Sequence, residues 1–317
     1  MFFRAFWPLA AVSVFLGLMV AQPRTGAAEP YFQGPKVCQE CHKSEFEVWE
    51  GTKHFKSFRT AHKADNAKKI TAAVGGKKSM KKNKVCTVCH YTNVSKKAGA
   101  PGKPKAGPSC ESCHGASSDW IDVHNNYGGP NMKAADESAK HKTKRLNMAI
   151  EANMTWSFMR YDIAKNCMSC HGLARDEIDG GTLAKMLDAG HPLKAEFELV
   201  RYSQGSVRHG FYPPDVTVNA QLSAVELAET FIQGQAAKLV SATGAVGKTD
   251  NAKYNAVQEQ RIADATAALT TLVGVPEAAA LIADPSEANA RALIDAIAGK
   301  DLSGKVGGIL PDPSTYK

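Results

Sequence analysis

Four copies of one five-residue pattern constrain this chain more than anything else in it. Cys38-Gln39-Glu40-Cys41-His42, Cys86-Thr87-Val88-Cys89-His90, Cys110-Glu111-Ser112-Cys113-His114 and Cys167-Met168-Ser169-Cys170-His171 all read C-x-x-C-H, and together they use all eight cysteines. This is the attachment signal of c-type haem. The two thiols add across the two vinyl groups of a porphyrin, and the next residue is His because it ligates the iron from the same side. Four motifs with no cysteine left over predict four covalently bound haem c groups. Cys38, Cys41, Cys86, Cys89, Cys110, Cys113, Cys167 and Cys170 carry the thioethers. His42, His90, His114 and His171 are the proximal ligands.

Other uses of paired cysteines fit less well. A structural zinc site can be built from two C-x-x-C pairs, but zinc does not require His directly after each. A thioredoxin-like C-x-x-C occurs once, near a βαβ pattern. Structural disulfides suit an exported chain, yet they do not impose identical spacing four times.

The N-terminus points to export. A short positive start at Met1-Phe2-Phe3-Arg4 precedes an apolar run from Ala5 to about Ala21, and Gly26-Ala27-Ala28 supplies small residues before Glu29. Residues 1–28 therefore read as a cleaved signal peptide, and an uncleaved anchor is the alternative. Haem c is attached outside the bacterial cytoplasmic membrane, so a periplasmic location is expected. Cleavage lowers the formal charge from +8 to +6, and two propionates on each of four haems bring the holoprotein near neutrality. Net basicity is thus a weak argument for nucleic acid or membrane binding. The lysines are nonetheless uneven. Lys77, Lys78, Lys81, Lys82 and Lys84 form one run, and Lys96, Lys97, Lys103 and Lys105 another. These read either as a solvated face or as a patch that steers an acidic redox partner.

The expected fold is mainly α with few strands. A haem-organised domain covers residues 29–220 and an α-helical C-terminal region covers 221–317. Phe46, Trp49 and Phe58 lie at roughly helical spacing and are expected to pack on porphyrins. Residues 73–109 read as loop with short helical pieces, 136–172 as helix, and 173–215 as loop-rich. Met148, Met154 and Met159 read as apolar filler rather than iron ligands. After residue 222 cysteine and histidine vanish. Ser223-Ala224-Val225-Glu226 is a capping box. Phe231, Ile232, Ala236, Leu239 and Val240 form one apolar face of a helix ending at Gly244. A second helix is expected from about Asn251 to Val273, and two shorter ones have Pro276 and Pro285 at their first positions.

The sixth coordination position decides whether an iron only transfers electrons or also binds a small molecule. Six histidines remain as distal candidates: His54, His62, His124, His141, His191 and His209. A residue just after a motif cannot easily wrap its own porphyrin, so distal ligands should cross between segments.

From about Pro35 to His124, and again around Cys167, the chain resembles the tetrahaem cytochrome c-554 family of nitrifying bacteria. The resemblance rests on the first motif with Trp49 and His54, on the G-P-S-C-E-S-C-H-G block at Gly107 to Gly115, and on His124 ten residues after His114. It implies a helical core with closely stacked haems, His54 as distal ligand to the third haem and His124 to the first. A downstream His serves the fourth haem, here His191 or His209, with His191 favoured. It also implies a second haem with no distal His. The surplus of His62, His141 and His209 departs from that pattern and leaves the second haem open to six-coordination. The last hundred residues have no counterpart in the family.

The function expected is electron carriage between redox protein partners through mostly bis-His haems, with no catalytic residues. Two alternatives stand beside it. One is reduction of nitric oxide or a related nitrogen compound at a five-coordinate second haem. The other is a structural subunit of a larger multihaem conduit, with the C-terminal helices as a docking surface or as the basis of an oligomer.

Overall fold

A computed structural model describes residues 29–317. The expected signal peptide lies outside the described residues. The fold is mainly α, with one two-stranded antiparallel ribbon. Among the described residues no helix is long and apolar enough to cross a membrane.

Short helices carry the first part of the chain. α1 (Pro35–Gln39) and α2 (Lys43–Gly51) flank the first motif, and α3 (Lys53–Thr60) follows with Thr52 as its N-cap. The Thr52 side chain accepts from the Phe55 amide, satisfying one of the amides a helix start leaves free. α4 (Ala67–Ala73) leads into α5 (Lys84–His90), which is the second motif itself. The ribbon β1 (Thr92–Val94) and β2 (Lys103–Ala106) spans part of a segment expected to be loop, and Pro108 then enters α6 (Cys110–His114), the third motif. α7 (Ile121–His124) ends on a candidate ligand.

The helix expected over 136–172 is two helices, α8 (Ala139–Glu151) and α9 (Arg160–His171). Asn153 breaks it with φ 68°, a left-handed conformation that asparagine tolerates better than most residues. The break has a use: Thr155 donates its amide to the His114 carbonyl, tying the linker to the third motif. In 173–215 two helices form, α10 (Gly180–Asp188) and α11 (Leu199–Ser203), capped by the side chains of Asp179 and Glu198.

The C-terminal region is α12 (Ala224–Ala245), α13 (Ala252–Thr270), α14 (Pro276–Ala283), α15 (Glu287–Ile297) and α16 (Ser303–Val306). Both hydrogen bonds of the Ser223–Glu226 capping box are made. Pro276 opens α14, but Pro285 sits before the Ser286 N-cap of α15 rather than inside it. Gly244 lies within α12, and the left-handed turn after that helix falls at Gly247, φ 77°. α12 is also buried on every side rather than on one face. Phe231, Ile232, Ala236 and Leu239 are covered, and so are Thr230, Gln233, Gln235 and Lys238. The reason is its neighbours: α9, α11, α13, α15 and α16 all pack on it.

One hydrophobic core therefore joins the fourth motif helix to the C-terminal helices. Tyr161, Ala164 and Met168 of α9 pack with Phe231, Ile232 and Leu239 of α12, Leu269 of α13 and Leu293 of α15. Ion pairs border it, Arg160 to Glu226 and Glu229, and Arg291 to Asp162. A second cluster sets Leu183 and Met186 of α10 and Tyr254 of α13 against Ile70, Val85 and Val88 around the second motif.

Candidate haem-binding centre

Four histidine pairs define the site. His42 faces His124 with ring centroids 6.3 Å apart, His54 faces His171 at 6.1 Å, His90 faces His191 at 6.1 Å and His114 faces His209 at 6.4 Å. Each motif histidine has one partner from elsewhere in the chain, and no two share one. The spacing is too wide for direct ring contact and suits a metal between two imidazoles. Nitrogen–metal bonds of about 2.0–2.1 Å each, plus roughly 1 Å from each nitrogen to its ring centre, give about 6 Å. The residues present thus fit c-type haem. They do not fit a bare metal ion, since among the described residues no three His, Cys, Asp or Glu side chains converge on one point.

Backbone carbonyls hold the rings in the tautomer that ligation needs. Nδ1–H of His114 donates to the Thr155 carbonyl at 2.7 Å, His124 to Ile121 at 2.6 Å, His191 to Pro192 at 2.9 Å and His209 to Val207 at 2.7 Å. With Nδ1 protonated, Nε2 keeps its lone pair and the ring cannot swing. Burial holds the basicity down. It pushes His90 to about 4, aided by His191, and His171 to about 4, aided by His54. His54, His114, His124 and His191 also lie below the usual imidazole value, chiefly through burial. Neutral imidazole is the ligating form.

Local structure explains how each partner arrives. α3 is set by Trp49, which packs edge-on against Phe46 and Phe55 and donates Nε1–H to the Pro108 carbonyl at 2.9 Å. A Cβ on Gly107 would come within 2.0 Å of the His54 carbonyl, so glycine there lets the third motif's entry pass α3 closely. His124 is held from outside by Arg145, which donates to its carbonyl and forms a two-pronged pair with Glu137, Nε–Oε1 at 2.8 Å and Nη2–Oε2 at 2.7 Å. α10 packs on α4 and its exit delivers His191, with Asn66 donating to the Gly190 carbonyl. The loop bearing His209 is pinned by Ser206 donating to the Lys317 carbonyl and by Asn219 donating to the Arg208 carbonyl.

The resemblance sets His54 at the third motif; here it faces the fourth, and His209 faces the third. His191 faces the second motif, not the fourth. The two remaining histidines have no ring partner. His141 bonds Glu137 at 2.7 Å within the Arg145 pair, and His62 lies near Lys63 and Lys81. Met159 Sδ accepts from the Trp156 amide and Met154 is buried beside Trp120.

The motifs are neighbours. The Cys38 thiol is raised by the adjacent Cys110 thiol, and the Cys89 thiol by Cys170. Burial and then the nearby Cys113 raise Cys167. α1 packs on α6 and α6 on α9, and Asn166 donates to the Ser112 carbonyl. In space the motifs therefore run first, third, fourth, second. Glu111, inside the third motif, is buried and accepts from the amides of Gln33, Gly34 and Ser117 and from the Ser117 hydroxyl. This carboxylate clamps the approach to the first motif. Nothing in the sequence marks it beyond its place between two cysteines.

A mainly α chain built on C-x-x-C-H helices whose histidines each face a second histidine has the arrangement that a multihaem c-type cytochrome requires. Residues 37–115 match the family model described as cytochrome c554 and c-prime. Cytochrome c-554 of Nitrosomonas europaea is 29% identical over 152 residues, covering 46% of this chain and 59% of that protein. The match thus spans about three-fifths of the relative's length. No solved structure matches. Both matches are likenesses to cytochrome c-554 over part of the chain, and they agree with the C-x-x-C-H reading of these segments.

Proposed function

We propose that this protein is a periplasmic electron carrier that holds four haem c groups, each saturated by two histidines, and passes electrons between redox protein partners. The observation that carries this is the set of four ring pairs at 6.1–6.4 Å. The proposed ligand sets are His42 with His124, His90 with His191, His114 with His209 and His171 with His54. Bound haem c supplies one-electron chemistry at its iron. The chain's part is to orient four of the eight imidazoles, His114, His124, His191 and His209, through their Nδ1 bonds, and to keep the four motifs adjacent.

The alternative of small-molecule reduction at the second haem loses its main support, because His191 occupies the position opposite His90. Electron paramagnetic resonance of the oxidised protein, with and without nitric oxide, tests the reading. Four low-spin centres unmoved by nitric oxide, with four covalent haems by mass spectrometry, are expected. A high-spin centre that responds would restore the reductase reading. Fewer than four haems would overturn the count.

A further inference from the structure

The most buried cationic side chain among the described residues stands beside the fourth motif. Arg261 of α13 is 1% exposed. Its Nη1 donates to Gln258 Oε1 at 2.5 Å and its Nη2 lies 3.3 Å from Met168 Sδ, the first residue between the two cysteines of that motif. Neither partner is charged, and none of the salt bridges of the described residues includes Arg261. The neighbouring buried Lys238 differs: Asp264 and Glu198 offset its charge, and Arg261 adds repulsion.

α13 addresses the motif with one face. Tyr254, Gln258 and Arg261 recur at helical spacing. Tyr254 Oη donates to the Leu173 carbonyl at 3.1 Å and Gln258 Nε2 to the Gly172 carbonyl at 3.0 Å. A Cβ on Gly172 would meet Nη1 at 2.3 Å, so the residue straight after His171 must be glycine for the guanidinium to come this close. An arginine at the C-terminal end of α9 also complements that helix's dipole. A dipole partner, however, is ordinarily left exposed, and removal from water is costly for a cation without a counter-charge.

We propose that Arg261 is a redox-tuning residue: its buried charge, which no protein carboxylate among the described residues pairs, raises the reduction potential of the haem attached at Cys167 and Cys170. A fixed positive charge in a low-dielectric interior disfavours the more positive, oxidised iron. The C-terminal helices, which lie outside the residues 37–115 that match the family model, thereby set the driving force at one of the four centres. The inference rests on the four-haem reading above.

Potentiometric titration of holoprotein variants, followed optically, tests it. Arg261→Gln is expected to lower one of the four midpoints by a tenfold shift in the oxidised-to-reduced ratio, which is 59 mV for a one-electron couple. Arg261→Lys should keep the midpoint near its original value, and the low-spin spectrum should not change in either. The affected centre should be the one that turns high-spin in His54→Ala. If Arg261→Gln fails to fold, Arg261→Met, which fills the space without a buried charge, gives the same reading. Four unmoved midpoints in a folded four-haem variant would overturn the tuning role alone. Fewer than four haems, or no high-spin centre in His54→Ala, would instead overturn the ligand reading beneath it.

Discussion

At the scale of single residues, histidines divide by what faces them. His209 stands 6.4 Å from His114, whereas His141 bonds a carboxylate. His209→Ala is expected to turn one haem high-spin and open it to carbon monoxide, and His141→Ala to leave the visible spectrum unchanged. A spectral change in His141→Ala would refute the separation. Glu137 gives a pH prediction. Arg145 chiefly, and His141, pull its carboxyl down to about 2 from an ordinary 4.5. A depressed carboxyl contributes stability that is complete above about 4.5 and lost as pH falls through about 2. Thermal unfolding followed from pH 5 to pH 2 should show that loss in the native protein, and a flatter limb in Glu137→Gln. Because Arg145 also bonds the His124 carbonyl, the acid limb should be accompanied by a change at the first haem.

At the scale of elements, caps and breaks carry testable weight. The Ser223 side chain accepts from the Glu226 amide at the start of α12, the helix that packs on α9. Ser223→Ala should cost about 1 kcal/mol of unfolding free energy, as loss of an N-cap typically does, readable by denaturant titration. That capping box was legible because it needs only two residue types at fixed spacing. Much else at this scale was not. The burial of α12 on all sides depends on five neighbours, and alternation within its own sequence suggested a single face. The break at Asn153 is invisible to propensity, since it exists to bring Thr155 to His114. The motif cysteines and histidines were readable because covalent attachment dictates them. Of the pairings the resemblance implies, His124 does face the first motif, whereas His54 faces the fourth rather than the third. The pairing of His54 with His171 rather than His114 is fixed by how α3, α9 and the 205–220 loop pack, which is tertiary information. Arg261 was not legible at all: an arginine on an amphipathic helix ordinarily faces water.

At the scale of the whole molecule, the lysines offer the measurable surface. Lys77, Lys78, Lys82 and Lys84 are exposed, while the Lys81 ammonium sits 3.6 Å over the Phe58 ring and is part of the packing. Reversing the four exposed charges to Glu should slow reaction with an acidic redox partner and flatten its dependence on ionic strength. An unchanged rate by stopped-flow would assign these side chains to a solvated face.

The interlocking of the histidine pairs bears on how such a chain comes into being. His42 waits for His124, His54 for His171, His90 for His191 and His114 for His209, and no pair closes before the next motif has been made. In chain order each of the first three C-x-x-C-H motifs therefore precedes the histidine that faces it. The fourth motif differs, because its partner His54 precedes it in the chain. The C-terminal helices, which cover the fourth motif last, would act as the closing step of maturation.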